Sequence, residues 1–191
     1  MESVEKLNEV FEGLEETSLR DSYFEKCTFR RCRFTSLSLK NCRFIDCSFE
    51  NCELSLANLT GSRFANVIFS DCKAIGMNWG ASAGLQSPKF IRCKLNDASF
   101  SHMDLRYICF EECEVEGADF SNSRLDKAQF SQCRLAGASF QKSILVDADF
   151  SSSQGYFFDP RQNTLKNTKV SLPEAMGLLE VMGATLVGFG R

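Results

Sequence analysis

The sequence predicts an all-β chain wound into a four-sided solenoid of about seven coils, with a short C-terminal α-helix, and three observations predict it. Large apolar residues recur at every fifth position from Leu19 to Phe150, apart from Ala74 and one slip of register near residue 80. A small residue sits two places before most of them, as in Cys27-x-Phe29, Cys32-x-Phe34, Cys93-x-Leu95, Ala118-x-Phe120 and Ala138-x-Phe140. Stacked at twenty residues, the chain also sorts its side chains by column. A helix repeats at about 3.6 residues and a strand at about 2. A period of five with two inward places therefore means a backbone that turns a corner every five residues.

Allowing one extra residue between Trp79 and Leu85, one column reads Phe29, Phe49, Phe69, Phe90, Phe110, Phe130, Phe150. The small partners of the next form a cysteine ladder: Cys32, Cys52, Cys72, Cys93, Cys113, Cys133. The others read Phe24, Phe44, Phe64, Leu85, Leu105, Leu125, Leu145 and Leu19, Leu39, Leu59, Trp79, Phe100, Phe120, Phe140. Like stacks on like one strand spacing away, as neighbouring coils require.

Four regions follow in order. Residues 1–16 form an N-terminal cap, in which Leu7, Val10, Phe11 and Leu14 fit either a helix or an opening turn of the coil. Residues 17–152 form the solenoid, with the register slip at 80–85; Gly80 to Lys89 reads as a one-residue bulge or as a projected loop restarted by Pro88. Residues 153–170 are a closing turn and linker, with Tyr156, Phe157 and Phe158 over the last coil. In residues 171–191, Ser171-Leu172-Pro173-Glu174 reads as a capping box. The helix that follows buries Ala175, Leu178, Leu179 and Met182, and Gly183 stops it. The tail from Ala184 to Phe189 is apolar and needs a covering surface, either its own barrel or a second chain. Leu178, Leu179, Met182, Leu186 and Val187 are the candidate dimer interface.

On the repeated small-x-Leu/Phe unit over residues 17–152, the chain resembles the pentapeptide-repeat family, which implies a right-handed quadrilateral β-helix. Within that family it looks most like the antibiotic-immunity branch, the quinolone-resistance, albicidin-immunity and microcin-immunity proteins that act on DNA gyrase. The Cys-rich opening from Phe24 to Phe34, the break after Asn78-Trp79 and the tail Ser171-Leu172-Pro173-Glu174-Ala175 carry that resemblance. It implies a non-enzymatic, DNA-mimicking rod that binds gyrase or a related type II topoisomerase and protects it from a poison, as a homodimer joined by its tails. A rigid scaffold or adaptor for another cytoplasmic protein is the alternative.

The chemistry read from the residues agrees with an inert body. A core filled by Phe and Leu leaves no room for a substrate, and His102, the only histidine, falls on an outward place. No catalytic residue, cofactor or metal site is assigned, since no Cys-x-x-Cys spacing occurs. Nine of the ten cysteines take the small inward place, Cys109 excepted, and are expected as free buried thiols. The absence of a signal peptide and of a long apolar run predicts a cytoplasmic protein without a membrane span.

Net charge is −3 over 191 residues. A rod of about 32 Å replaces duplex DNA carrying about 19 negative charges, whereas residues 17–150 carry +1. Charge mimicry over the whole surface therefore fails, and only a local acidic face remains. The expected partner-binding residues are Asp97, Asp104, Glu111, Glu112, Glu114, Glu116 and Asp119, with Gly80, Gly84 and Pro88 at the break. The first coils are basic (Arg20, Lys26, Arg30, Arg31, Arg33, Lys40, Arg43), but the pI of 5.3 argues against direct nucleic-acid binding.

Overall fold

In a computed structural model of the chain, residues 5–14 and 19–187 are described. The corners come first, because they dictate everything else. Two places after each core residue the backbone is left-handed: Asp21, Lys26, Arg31, Ser36, Asn41, Asp46 and Asn51 have φ between 51° and 59°. That conformation is costly for most L-residues and least so for Asn, Asp and Gly. These types occupy many of the corners.

Between corners the chain forms three-residue strands. On one face β1 (Glu5–Leu7), β3 (Tyr23–Glu25), β5 (Arg43–Ile45), β7 (Arg63–Ala65) and β9 (Gly84–Gln86) make a parallel sheet in that order. On the next, β2 (Val10–Glu12), β4 (Thr28–Arg30), β6 (Ser48–Glu50), β8 (Ile68–Ser70), β10 (Lys89–Ile91), β11 (Cys109–Glu111) and β12 (Gln129–Ser131) make a second. Single parallel bridges hold the remaining faces, as in Arg33 to Glu53 to Lys73 to Lys94 to Glu114 to Arg134. The result is a parallel-strand β-solenoid.

Its interior is a set of aromatic stacks. Phe29 lies 4.7 Å from Phe49 at 12°, and Phe110 lies 5.0 Å from Phe130 at 15°. Perpendicular contacts such as Phe24 to Phe29 at 5.2 Å and 75° join the columns. Each buried Phe contributes about 1.5–3 kcal/mol by area, so the columns carry the fold.

The inward small residues do more than fill space. Cys47, Cys52 and Cys72 each donate Sγ–H to the carbonyl 23 residues earlier, those of Phe24, Phe29 and Phe49, at 3.5, 3.3 and 3.4 Å. Ser123, Ser143 and Ser153 repeat this geometry towards Phe100, Phe120 and Phe130 at 2.7, 2.7 and 2.8 Å. All ten cysteines are free, and Cys109 alone is only half-buried. Burial pushes the Cys42 and Cys47 thiols up to about 11.

Both ends extend the solenoid beyond its expected limits. At the front the opening-turn alternative, not the helix, is formed: Phe11 pairs with Phe29, and Lys6 takes the core place opposite Phe24. This coil is 18 residues long, which breaks the five-residue count and hides it from periodicity. Residues 1–4 and 15–18, which include parts of the expected cap and the first residues of the expected solenoid, lie outside the described residues.

At the back, residues 153–170 are not a linker but continue the stack. Thr164 bridges Ile144 and Lys169 bridges Asp149, while Leu165 and Val170 pack on the core. Tyr156 and Phe158 are buried over the end of the barrel; Phe157 stays exposed.

The helix α1 (Glu174–Val181) begins without a side-chain cap, so the expected capping box is not made. The Glu174 carboxylate instead accepts the Gly155 N–H at 3.0 Å, and the Ser171 N–H donates to the Tyr156 hydroxyl at 2.8 Å. Both groups tie the helix to the barrel. Gly183, at φ 87°, ends it as expected.

The slip is a bulge. β9 pairs with β7 and β10 with β8 at an offset of 21, one more than between β10 and β11. The extra residue is absorbed in a 3-10 turn, Trp79–Ala81, whose Ala81 N–H donates to the Asn78 side chain at 3.2 Å. The Ser82 hydroxyl closes it onto the Trp79 carbonyl at 2.6 Å.

Candidate functional site

A five-residue face cannot hold a nine-residue acidic run, and the acids from Glu111 to Asp119 accordingly wrap around the rod. Glu111 ends β11, and Glu112 occupies the left-handed corner at φ 54°. Glu114 stands on the bridged face beyond, and Asp119 lies on the face after that, bridged to Ser99 and Ser139. Asp97 sits at a corner one coil earlier, its carboxylate lying where a Cβ on Gly117 would be. The single acidic face expected from sequence is therefore a band around three faces.

Much of that band is neutralised by the neighbouring coils. Glu111 pairs with Lys89 at 3.0 Å, Glu114 with Lys94 at 3.4 Å and Glu116 with Arg134 at 2.7 Å. The column neighbours Lys73 and Glu53 pair likewise at 3.5 Å. Exposed pairs of this kind are worth about 0–1 kcal/mol each, but they remove negative charge from any partner's view. Among the described residues, Asp97, Glu112 and Asp119 have no ion pair. Asp119 accepts the Ser121 N–H at 2.9 Å. These three are the acids left for recognition.

Asp104 belongs elsewhere. It is locked to Arg106 at 2.6 Å, and the guanidinium holds its carboxyl below the usual carboxylate range. Together with Gly80, Gly84, His102 and Tyr107 it lines a groove of about 1030 Å³ at the slip. Pro88 is buried at the small inward place before Phe90 and offers no surface, which removes it from the expected contact set. The structure thus divides the expected site into an acidic band and a groove. Sequence reasoning missed the groove, although two arginines one coil apart, Arg43 and Arg63, were visible.

The expected dimer residues are divided too. Leu178 is buried on its own barrel and leaves the candidate interface. Leu179, Met182 and Val187 are exposed, at 44%, 64% and 86%, with Leu172 and Phe157 beside them in the exposed apolar set. Leu186 is half-buried, and Gly188 and Phe189 of the expected tail lie outside the described residues.

Among the described residues no group of three His, Cys, Asp or Glu side chains is placed to hold a metal, and no helix is long and apolar enough to cross a membrane.

The pentapeptide repeat region family matches residues 22–84 and 83–154. The chain belongs to the pentapeptide-repeat family. No curated protein sequence matches it significantly. Among solved structures it is similar to a trypsin-treated variant of QnrB1, a plasmid-mediated fluoroquinolone resistance protein, at 20% identity and a TM-score of 0.60, covering 97% of this chain and 98% of that one. Full-length QnrB1 gives 18% identity and a TM-score of 0.59, covering 94% and 100%. At such identity the likeness is one of fold, and it spans both chains almost end to end.

Proposed function

We propose that this chain is a non-enzymatic rod that binds DNA gyrase or a related type II topoisomerase in place of duplex DNA and relieves the enzyme of a bound poison. The observation that carries the reading is the end-to-end similarity to a fluoroquinolone resistance protein, from the opening coil through the terminal helix. The filled core supports it, since any activity must be exercised by the outer walls. Mimicry here is chiefly one of shape. The unpaired acids Asp97, Glu112 and Asp119 supply local phosphate-like charge, and the exposed Leu179, Met182 and Val187 join two rods tail to tail, doubling the length presented to the enzyme.

A supercoiling assay with purified gyrase, with and without a fluoroquinolone or albicidin, tests the reading. Rescue of supercoiling as the protein is titrated is the expected result. No effect at any ratio would sink the proposal and leave the rod as a scaffold for a different protein. The neutralised state of Glu111, Glu114 and Glu116 favours that second reading.

A further inference from the structure

The parallel ladder on the first sheet stops at β9 and resumes only where Asp104 bridges Arg124. In the other rungs of this face the N–H two places after the core residue donates to the coil below: Asn66 to the Gln86 carbonyl at 2.9 Å, Tyr107 to Asp126 at 3.0 Å. The core residue's own N–H does the same, as Leu105 does towards Arg124 at 2.8 Å. At the slip the equivalent donors are Leu85 and Ser87, and among the described residues neither meets a carbonyl of the coil below. Two backbone donors, Leu85 on β9 and Ser87 at the corner just after it, thus point along the rod at the groove. Gly84, at φ 147°, has open space where a Cβ would stand.

The walls of that groove are basic on a protein of net charge −3. Three arginines, Arg43, Arg63 and Arg106, and His102 face a single carboxylate, Asp104. Arg43 and Arg63 are direct partners in β5 and β7, where like charges repel. Neither has an ion pair among the described residues, whereas most arginines along the rod do. An anion between them removes the repulsion and accepts from both guanidinium forks.

We propose that this break is a binding site for a phosphate-bearing small molecule. One phosphoryl group lies against the Leu85 and Ser87 N–H groups, below β9, and Arg63 and Arg43, on the two coils above β9, draw the rest of the anion across the open face at Gly84. The groove, about 1030 Å³, is of small-ligand size. An acidic peptide added as a strand fits less well. The unpaired edge runs only from Leu85 to Ser87, and the rungs close again on both sides, at Asn78 with Ser99 and at Lys89 with Cys109.

Amide proton and nitrogen NMR at constant ionic strength, with inorganic pyrophosphate as the probe, tests this. Saturable downfield shifts of the Leu85 and Ser87 amides are expected. An Arg43→Gln/Arg63→Gln double variant should bind at least tenfold more weakly, while Lys166→Gln on a distant coil binds as before. The proposal is overturned if the two amides do not move, if Lys166→Gln weakens binding as much as the double variant, or if hexaglutamate moves the amides at lower concentration than pyrophosphate. The wild-type amide shifts decide the matter alone should the double variant fail to fold.

Discussion

The coils before the slip and the coils after it solve the same packing problem with different side chains. Before it, the aromatic column of Phe29, Phe49 and Phe69 is flanked on the adjacent face by Phe24, Phe44 and Phe64. After it, those flanking places are Leu85, Leu105, Leu125 and Leu145, and the second aromatic column has moved by one face to Phe100, Phe120 and Phe140. Trp79 makes the handover. It touches Phe64, Phe69 and Phe90 edge-on at 5.7, 5.4 and 5.3 Å and stacks on Phe100 at 5.9 Å and 5°. The bulge therefore sits where the core changes pattern, and the strand ladder above it opens into the groove. A solenoid is coupled only between neighbouring coils, so such a change can be made locally without disturbing either half.

The largest way to break this comparison is to interrupt the column that runs unbroken through both halves. Phe110→Ala should cost about 3–5 kcal/mol, read as a fall in the denaturant midpoint. A cost near 1 kcal/mol would mean that the stacks do not carry the fold.

Alkaline pH should have the next largest effect, and it can be followed in the first coils. Cys42 and Cys47, both before the slip, titrate near 11 because burial disfavours the thiolate, against an ordinary value of 9.0. The unfolded chain therefore loses these protons first. Stability is held below about pH 9 and lost as pH rises from there towards 11. Hydrogen exchange, corrected for its intrinsic pH dependence, should show the first coils opening more readily at pH 10 than at pH 8.

Charge reversal sharpens the contrast between paired and unpaired acids. Replacing Asp97, Glu112 and Asp119 by Lys should weaken gyrase protection at least tenfold. Reversing the ion-paired Glu111, Glu114 and Glu116 should do less, with protection measured by the supercoiling assay in both cases.

The smallest effect is expected at Trp79, whose indole Nε1 is buried without a hydrogen-bond partner. Trp79→Phe keeps one aromatic ring and removes that orphan donor, which offsets part of the cavity left by the smaller side chain, so stability should fall by only about 1 kcal/mol. Thermal melting of the variant checks this.

The repeat was legible wherever the five-residue count ran unbroken, because Leu and Phe at the core place announce themselves. It failed at the ends for definite reasons. The first coil is two residues short and puts Lys6 at a core place. The last has Gly155 and Pro160 where core residues were due, so the genuine units Asn163-Thr164-Leu165 and Thr168-Lys169-Val170 read as linker. Thr168 even keeps the carbonyl bond of the inward place, to Leu145 at 2.8 Å. The acids were legible in part as a surface: stacking at twenty residues sets Glu114 between Lys94 and Arg134 and reads that column as stacked ion pairs, but it does not reveal the diagonal pairs that Glu111 makes with Lys89 and Glu116 with Arg134. The failed capping box has the same origin, since Glu174 found a better donor in Gly155, on the barrel.

The most direct measurement is competition for gyrase between this protein and duplex DNA, followed by the fluorescence anisotropy of a labelled duplex. A rod that takes the place of DNA displaces the duplex completely, with an apparent affinity that falls in proportion to added DNA. Simultaneous binding of rod and duplex, or no binding of the rod, would contradict the account.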